Sequence, residues 1–481
     1  MMEEIQMDFI QVVQKLLPVV GVALIVGLIA FGIVLLAYRL YRKRGGKRII
    51  KLWQFIASFS LMGWLIMVMM LTTFSRGANY SGWVNLELFS GYVNAWNQWS
   101  LSEFQLIIFN MLMFAPLGFL LPLLGKKTRG FKSILIISLM ITIGIETFQM
   151  ATGRGIFELD DILHNTLGSL AGYGLMSAIL DIRQQKRISL KAMFRALCIP
   201  LTFVLLFTGA LMMYSSQELG NLAIRPATSQ KMNKVHVTLD TKLPDHAEPV
   251  ALYRSFEIHN MEYAKQMVSL LSDHFQLQQR GHISIDGFNR IWNLYDSGGT
   301  DYTFNYNVNS GNWSLAPNQY ATNSMQAEIL EEKGTAYGKW LSQQGLLPKE
   351  AEFSTQNEDT VRWDLHMSNS EMSTEQRDVD HGMIIIVPAA EGLIPQDLFY
   401  AMNKNKYIRT VDVSSPADAY EEVLRGNFYM YNDLQKNDKL IVTDYELTYV
   451  YDSKGYYQPV YQFKGTVNGE EWSTQIPALK N

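Results

Sequence analysis

Apolar residues gather in six stretches, at about 16–38, 52–71, 104–124, 133–150, 161–180 and 196–214. Each approaches the roughly 20 residues a helix needs to cross a bilayer. The fourth and fifth are shorter or interrupted by polar residues. After residue 214 the long runs stop and a mixed helical and alternating pattern replaces them. Met261, Ala264, Met267, Val268, Leu271 and Phe275 recur at helical spacing and predict a helix over 260–277. A second is predicted over 325–344, stopped by Gly345, and a third from Ser415-Pro416 to about Gly426. Strands are predicted at 234–240, 301–308, 359–366, 382–388, 440–451, 459–467 and 471–477, with Asn468-Gly469 as a hairpin turn between the last two. The predicted fold class is an α-helical polytopic membrane domain of about six spans followed by an α+β domain. Tyr295-Asp296-Ser297-Gly298 and Tyr451-Asp452-Ser453-Lys454-Gly455 each precede a hairpin that ends at a tryptophan, Trp313 or Trp472, which suggests two tandem repeats. The corresponding division is 1–51 (first helix and basic loop), 52–214 (main transmembrane domain), 215–232 (linker) and 233–481 (α+β domain).

Charge divides the chain at the same place. Residues 1–214 hold 19 Lys and Arg against 10 Asp and Glu; residues 215–481 hold 22 against 35. An acidic second half repels phosphates, so nucleic acid is excluded as a partner. The single cysteine, Cys198, excludes an intrachain disulfide and a Cys-based metal site. Basic residues crowd alternate loops. Sixteen of them lie in the loops after spans one, three and five, against Lys15, Arg76 and Arg154 on the other side. Basic loops stay cytoplasmic. Both the N-terminus and residues 215–481 are therefore expected outside the cell. The acidic start of the chain does not resemble the basic leader of a signal peptide, so the first span is read as retained. The loop 72–103 is read as external, and its Trp83, Tyr92, Trp96 and Trp99 with Asn85, Asn94, Asn97 and Gln98 suit an interfacial aromatic belt or a headgroup contact surface.

Polar residues inside spans are costly and mark sites. Span three holds Asn110, span four Glu146 and Gln149, and a short turn carries Arg154 before Asp160 and Asp161 open span five. Asp161, Asn165, Gly168 and Gly172 follow at i, i+4, i+7 and i+11, one helical face. Asn110, Phe114 and Gly118 share another. At about 1.5 Å per residue, Asn110, Glu146 and Asn165 fall within roughly 6–9 Å of the external surface. The candidate functional cluster is Asn110, Glu146, Gln149, Arg154, Asp161 and Asn165. Pro116, Gly118, Gly168 and Gly172 are candidate helix-packing residues.

The order Asn110…Phe114-x-Pro116-x-Gly118, Glu146-x-x-Gln149, Arg154, Asp161-x-x-x-Asn165-x-x-Gly168-x-x-x-Gly172 resembles the VanZ-like family over residues 100–180. The resemblance implies a bacterial cell-membrane protein acting near the cell surface, in a family named for low-level resistance to teicoplanin-type glycopeptides. It supplies no chemical mechanism. The helices before residue 80 and the large C-terminal domain are additions to the family's short form. A fainter resemblance links residues 458–479 to cell-envelope regulatory domains of Gram-positive bacteria.

Structural readings stand beside the functional ones. Glu146 would pair with Arg154 or form a ligand or proton site. Asp160 and Asp161 would cap span five. His164 would be packed or hydrogen-bonded. The expected function is non-enzymatic binding of a membrane lipid headgroup or lipid-linked cell-wall precursor, with altered glycopeptide sensitivity as the implied phenotype. The alternatives are an envelope sensor or scaffold acting through its external domain on an envelope protein partner, and an intramembrane lipid-modifying enzyme using Glu146, Asp161 and His164. No cofactor or metal is expected, because no nucleophile, phosphate loop or ligand spacing emerges.

Overall fold

The computed structural model describes residues 21–22, 25–29, 31–47, 49–74, 84–319, 326–356, 359–389, 392–430 and 432–480. Lys15, Arg76 and Trp83, read as parts of the external side, and Arg48 of the first basic loop lie outside these residues, as do residues 16–20, 23–24 and 30 of the first expected span. The chain divides into two compact units. One spans residues 1–95 and 100–217, the other 218–481 with residues 96–99.

The first unit is helical: α1 (Ile25–Lys43), α2 (Leu52–Met69), α3 (Ser90–Gln98), α4 (Leu101–Leu124), α5 (Phe131–Ala151), α6 (Leu159–Gln185) and α7 (Leu190–Ser216). Among the described residues α1, α2 with its π-helical end Met70–Phe74, α4, α5 and α7 are long and apolar enough to cross a membrane. The fifth expected span is a helix too. At 27 residues α6 has the length, but Asp160, Asp161, His164, Asn165 and its glycines and serines keep it less apolar than the others. It is instead the most enclosed helix of the unit, with a dozen buried residues. The expected external loop contains α3 and a two-residue strand, β1 (Val84–Asn85), paired in parallel with β2 (Phe157–Glu158).

The helical core joins Trp64 and Val68 of α2, Phe114, Leu117 and Leu121 of α4, and Ile134 and Ile145 of α5. Trp64 meets Phe114 edge-on at 5.4 Å, and its indole N–H donates to the Met113 carbonyl at 2.6 Å. The carbonyls that end α4 are taken up by side chains from elsewhere. Gln54 donates to Leu124, Thr128 to Leu121 and Arg129 to Pro122. Glycines set the tightest contact. A Cβ on Gly168, Gly172 or Gly118 would meet the backbone of Met111, Ala115 or Ser169, so α4 and α6 touch main chain to main chain. Gly174 makes the same kind of approach to Arg195 on α7, beside an Arg195–Asp181 ion pair.

The second unit is β-rich. Its strands are β3 (His236–Leu239), β4 (Val250–Ser255), β5 (Gln278–Asp286), β6 (Asn289–Tyr295), β7 (Asp301–Asn307), β8 (Trp313–Pro317), β9 (Glu352–Gln356), β10 (Thr360–Leu365), β11 (Val379–Val387), β12 (Asp397–Val411), β13 (Lys439–Tyr451), β14 (Tyr456–Val467) and β15 (Glu470–Pro477). Its helices are α8 (Met261–Phe275), α9 (Ala327–Gln343), α10 (Asn369–Thr374) and α11 (Pro416–Leu424). The strands form one sheet, ordered β3-β13-β14-β4-β12-β8-β7-β6-β5, with β9, β10, β11 and β15 on branches. Long β12 pairs with β11 on one side and with β8 and then β4 on the other. A helix followed by antiparallel strands recurs three times: α8 with β5–β8, α9 with β9–β12, α11 with β13–β15.

All three predicted helices are present. Ser415 caps α11 in a box with Asp418, and Gly345 and Gly426 adopt the positive φ that ends a helix. Asn468 and Gly469 both have positive φ, as their hairpin turn requires. The two Tyr-Asp-Ser segments fold alike. Asp296 Oδ1 accepts from the N–H groups two and four residues on, Gly298 and Thr300, both at 2.9 Å. Asp452 Oδ1 accepts from Lys454 and Tyr456 at 2.7 and 2.9 Å. Residues 220–230 follow the β unit closely: Gly220 N–H donates to Asp452, and Gln230 exchanges bonds with Gly426 and Leu434.

Candidate functional site

The site begins as a stripe on α5. Ser138, Thr142, Glu146 and Gln149 stand at i, i+4, i+8 and i+11, one face of the helix, and all are at most 3 % exposed. Four buried polar groups on one face of an apolar helix have to be met by polar groups of its neighbours. Helix α6 meets one of them, Thr142. Asn165 Nδ2 donates to Thr142 Oγ1 at 2.9 Å, and on the same face of α6 Asp161 Oδ1 accepts from Asn110 Nδ2 of α4 at 2.6 Å. Glycines on that face let α4 approach closely enough for Asn110 to reach.

At the α5–α6 connection the Glu158 N–H donates to Glu146 Oε2 at 3.4 Å. The side chain of Gln149 lies against Gly155, where an added Cβ would meet Gln149 Oε1 at 3.1 Å. Arg154 reaches the end of α2: its guanidinium donates to the Phe74 carbonyl at 3.4 Å and lies 6.0 Å from the Phe74 ring centre. Asn110, Asp161, Asn165, Glu146 and Gln149 thus border one seam between α4, α5 and α6.

Two polar atoms of that seam stand unmet. The carbonyl oxygen Asn165 Oδ1 and the Ser138 hydroxyl are buried without a hydrogen-bond partner. A buried unpaired polar group costs about 1–3 kcal/mol, so the Asn165 oxygen favours a ligand that brings a hydroxyl or N–H donor and the Ser138 hydroxyl one that donates or accepts. Thr142 and Ser138 carry the seam deeper than the sequence reading placed it, although their i+4 spacing with Glu146 was present to be read.

The opposite side of α6 is built differently. Neither Asp160 nor Asp161 caps the helix they open: the N-cap of α6 is Glu158, which makes no side-chain cap, and Asp161 accepts from Asn110 instead. The Asp160 carboxylate accepts from the Phe89 and Gly91 N–H groups at 2.6 and 2.8 Å, capping α3 from outside. One turn on, His164 Nε2 lies 2.8 Å from the Tyr92 hydroxyl of α3. Asp160, His164 and Tyr92 therefore fix α3 on α6. Among the described residues no three His, Cys, Asp or Glu are grouped to hold a metal.

The β unit holds a second buried polar cluster, which the scattered histidines of the sequence do not reveal. Asn405 Nδ2 lies 3.1 Å from His381 Nδ1, and Asn405 Oδ1 accepts from the Tyr451 hydroxyl at 2.8 Å. His381 stacks on Tyr457 at 5.4 Å, and burial pushes its pKa down to about 4. Burial pushes Glu257 up to about 7, with Lys404 opposing the shift. The partners here are satisfied, and the cluster reads as core rather than as a binding surface.

A helical unit of membrane-crossing length, a polar seam among its helices and a separate β-rich unit define a polytopic membrane protein with a large appended domain. Residues 55–180 match the VanZ/LLP1 family model, so the helical unit carries a VanZ-like domain, as the motif order predicted. The match ends within α6 and takes in α4, α5 and every residue of the seam. No curated protein matches the chain. Among solved structures, an uncharacterized protein from Eubacterium rectale is similar at 12 % identity and a TM-score of 0.23, over 51 % of this chain and 87 % of that one. The YpeB C-terminal domain from Bacillus megaterium is similar at 12 % identity and a TM-score of 0.18, over 47 % of this chain and 100 % of that one.

Proposed function

We propose that this VanZ-like protein is a non-enzymatic component of the bacterial cell envelope whose seam binds the headgroup of a membrane lipid or lipid-linked wall precursor. The observation that carries the reading is the convergence of Asn110, Asp161, Asn165, Thr142 and Glu146 from three helices, with the acceptor Asn165 Oδ1 buried and unpaired. Sugar hydroxyls and ammonium groups are donors of the kind such a seam takes. The charge bias of the loops supports an orientation with α6 as a sixth span and the β unit outside the cell. The seam then opens toward the external leaflet, where Arg154 would complete it by bridging Glu146 and Asp161. The two matching Asp turns and the recurring helix-and-strands order support reading the β unit as tandem repeats that contact the wall or an envelope protein. Altered sensitivity to teicoplanin-type glycopeptides is the corresponding phenotype in a Gram-positive host.

The test is native mass spectrometry of the full chain with its co-purified lipids. Glu146→Gln and Asn165→Leu, melting like the parent, should lose the bound species. Unchanged lipid content in both well-folded variants would overturn the proposal.

A further inference from the structure

On the other face of α6 an open apolar cleft of about 430 Å³ lies between α6, α7 and α3. Leu163 and Leu167 of α6 form one wall, Cys198, Thr202 and Leu206 of α7 another, and Tyr92 of α3 closes one end. The two long helices run antiparallel here. They touch at Gly174 and Arg195, and Phe207 packs on Phe104 of α4 at 5.6 Å near the other end. The cleft lies between those two levels. From Cys198 to Leu206 the cleft extends about 12 Å along α7.

The lining decides what fills it. Its polar side chains include the Tyr92 hydroxyl, which is engaged by His164, and the Thr202 hydroxyl, which donates to the Cys198 carbonyl of its own helix at 2.7 Å. Water held against these walls would need two to four polar partners, and they offer it almost none. Left unfilled within a bilayer, an open cleft this large would forfeit dispersion contacts along its apolar walls. The volume falls within the range of small-molecule sites, about 300–1,000 Å³. Hydrocarbon is what remains, and the surrounding membrane supplies it.

We propose that this cleft is a binding site for one acyl chain of a phospholipid, entered from the leaflet beside α3. The short cleft, closed at its inner end by the Gly174–Arg195 contact, suits the outer part of a linear chain rather than a long branched polyprenyl chain. The site is separate from the headgroup seam, which faces α4 and α5, and does not depend on that seam binding anything.

Cys198, the chain's single cysteine, serves as a reporter inside the cleft. The full-length protein is placed in nanodiscs containing phosphatidylglycerol with a photoactivatable diazirine in one acyl chain, and crosslinks are mapped by peptide mass spectrometry. Label is expected to concentrate on residues 163–167 and 198–206. Leu167→Trp and Thr202→Trp, which fill the cleft, should lower it several-fold, whereas the size-conserving Thr202→Val should leave it unchanged. N-ethylmaleimide should alkylate Cys198 slowly in nanodiscs and faster after lipid is stripped by detergent. Label spread evenly over the outward faces of all helices, unchanged in Trp variants that melt normally, would overturn the site. Displacement by polyprenyl phosphate but not by unlabelled phosphatidylglycerol would overturn the acyl-chain assignment. Glu146→Gln and Asn165→Leu should leave the label in place, so failure of the headgroup reading and failure of this one give different patterns.

Discussion

Replacing Gly168 or Gly172 by alanine tests the geometry on which the seam depends. In an ordinary helix the change stabilises, because alanine exceeds glycine in helix propensity by about 1 kcal/mol. Here the new Cβ would stand well inside 3.0 Å of the Met111 or Ala115 carbonyl, a separation that real Cβ atoms essentially never show. The obstacle is backbone and cannot rotate away. Restoring an ordinary contact of 3.4 Å or more requires α4 and α6 to part locally by on the order of 1 Å. Overpacking of this kind costs about 1–3 kcal/mol, and an unyielding neighbour puts the cost toward the upper end. The net expectation is a loss of about 1–2 kcal/mol per site after the propensity gain. Gly144 on α5 and Gly209 on α7 are the internal controls, because nothing lies within 4 Å of a Cβ built there. Gly144→Ala and Gly209→Ala should be neutral or stabilising. Thermal unfolding of the purified chain, read by intrinsic fluorescence and by loss of the monodisperse peak, gives the comparison. On the scale of a 150–250-residue unit, 1 kcal/mol moves Tm by about 2–4 °C. Lipid binding should fall with the same variants, since parting α4 from α6 stretches the 2.6 Å Asn110–Asp161 bond. A Gly168→Ala protein as stable as Gly144→Ala would refute main-chain contact between α4 and α6.

Asp160→Ala should cost about 1–2 kcal/mol by uncapping α3, with Asp160→Asn milder because an amide oxygen still accepts; equal melting of both with the parent would remove the cap. Protease added to intact spheroplasts should release a fragment of roughly 30 kDa from the β unit, and its protection would reverse the orientation. Glu257 has a folded pKa raised from 4.5 to about 7, so its contribution to stability is present at low pH and is lost as pH rises through that window. His381 is depressed from 6.5 to about 4, so its contribution grows as pH rises through 4 to 6.5. The two nearly offset, each on the order of 3 kcal/mol; Glu257→Gln should therefore expose a rise in Tm between pH 4 and 6.5 that the parent lacks, and a flat profile in that variant would refute the assignment.

The sequence was most legible where one periodicity acted alone. Long apolar runs gave the membrane-crossing helices, and the Ser415-Pro416 cap, Gly345 and Asn468-Gly469 marked their elements because each supplies a local backbone requirement. It was least legible in the middle of the β-rich sheet. Strand β12 mixes Leu398, Tyr400 and Met402 with Asn403, Lys404 and Asn405, and its polar residues are accommodated by neighbours distant in sequence, such as His381 and Tyr451. No local pattern announces a buried asparagine whose partners lie on other strands. Strand β4 is likewise too short and too evenly buried to show alternation. In the helical unit, the face Asp161–Asn165–Gly168–Gly172 was readable from spacing alone. The role of Asp160 was not, because its partners, the N–H groups of Phe89 and Gly91, are backbone of a helix some 70 residues away.

The helix that departs furthest from membrane apolarity is the one that organises the unit. Polar side chains in a span are tolerated where other helices enclose them. Enclosure in turn requires close neighbours, which the small residues of α6 admit on both sides: Gly168 and Gly172 toward α4, Gly174 toward α7. The same residues that lower its hydropathy therefore make it the axis of packing. Its two faces then diverge in chemistry. One joins Asp161 and Asn165 to α4 and α5 and leaves a buried acceptor open; the other anchors α3 through Asp160 and His164 and borders the apolar cleft. A lipid is a molecule of two such parts. In this arrangement α6 places a donor-seeking seam and a hydrocarbon-lined cleft at the same end of one helix, and the variants on either side can separate the two.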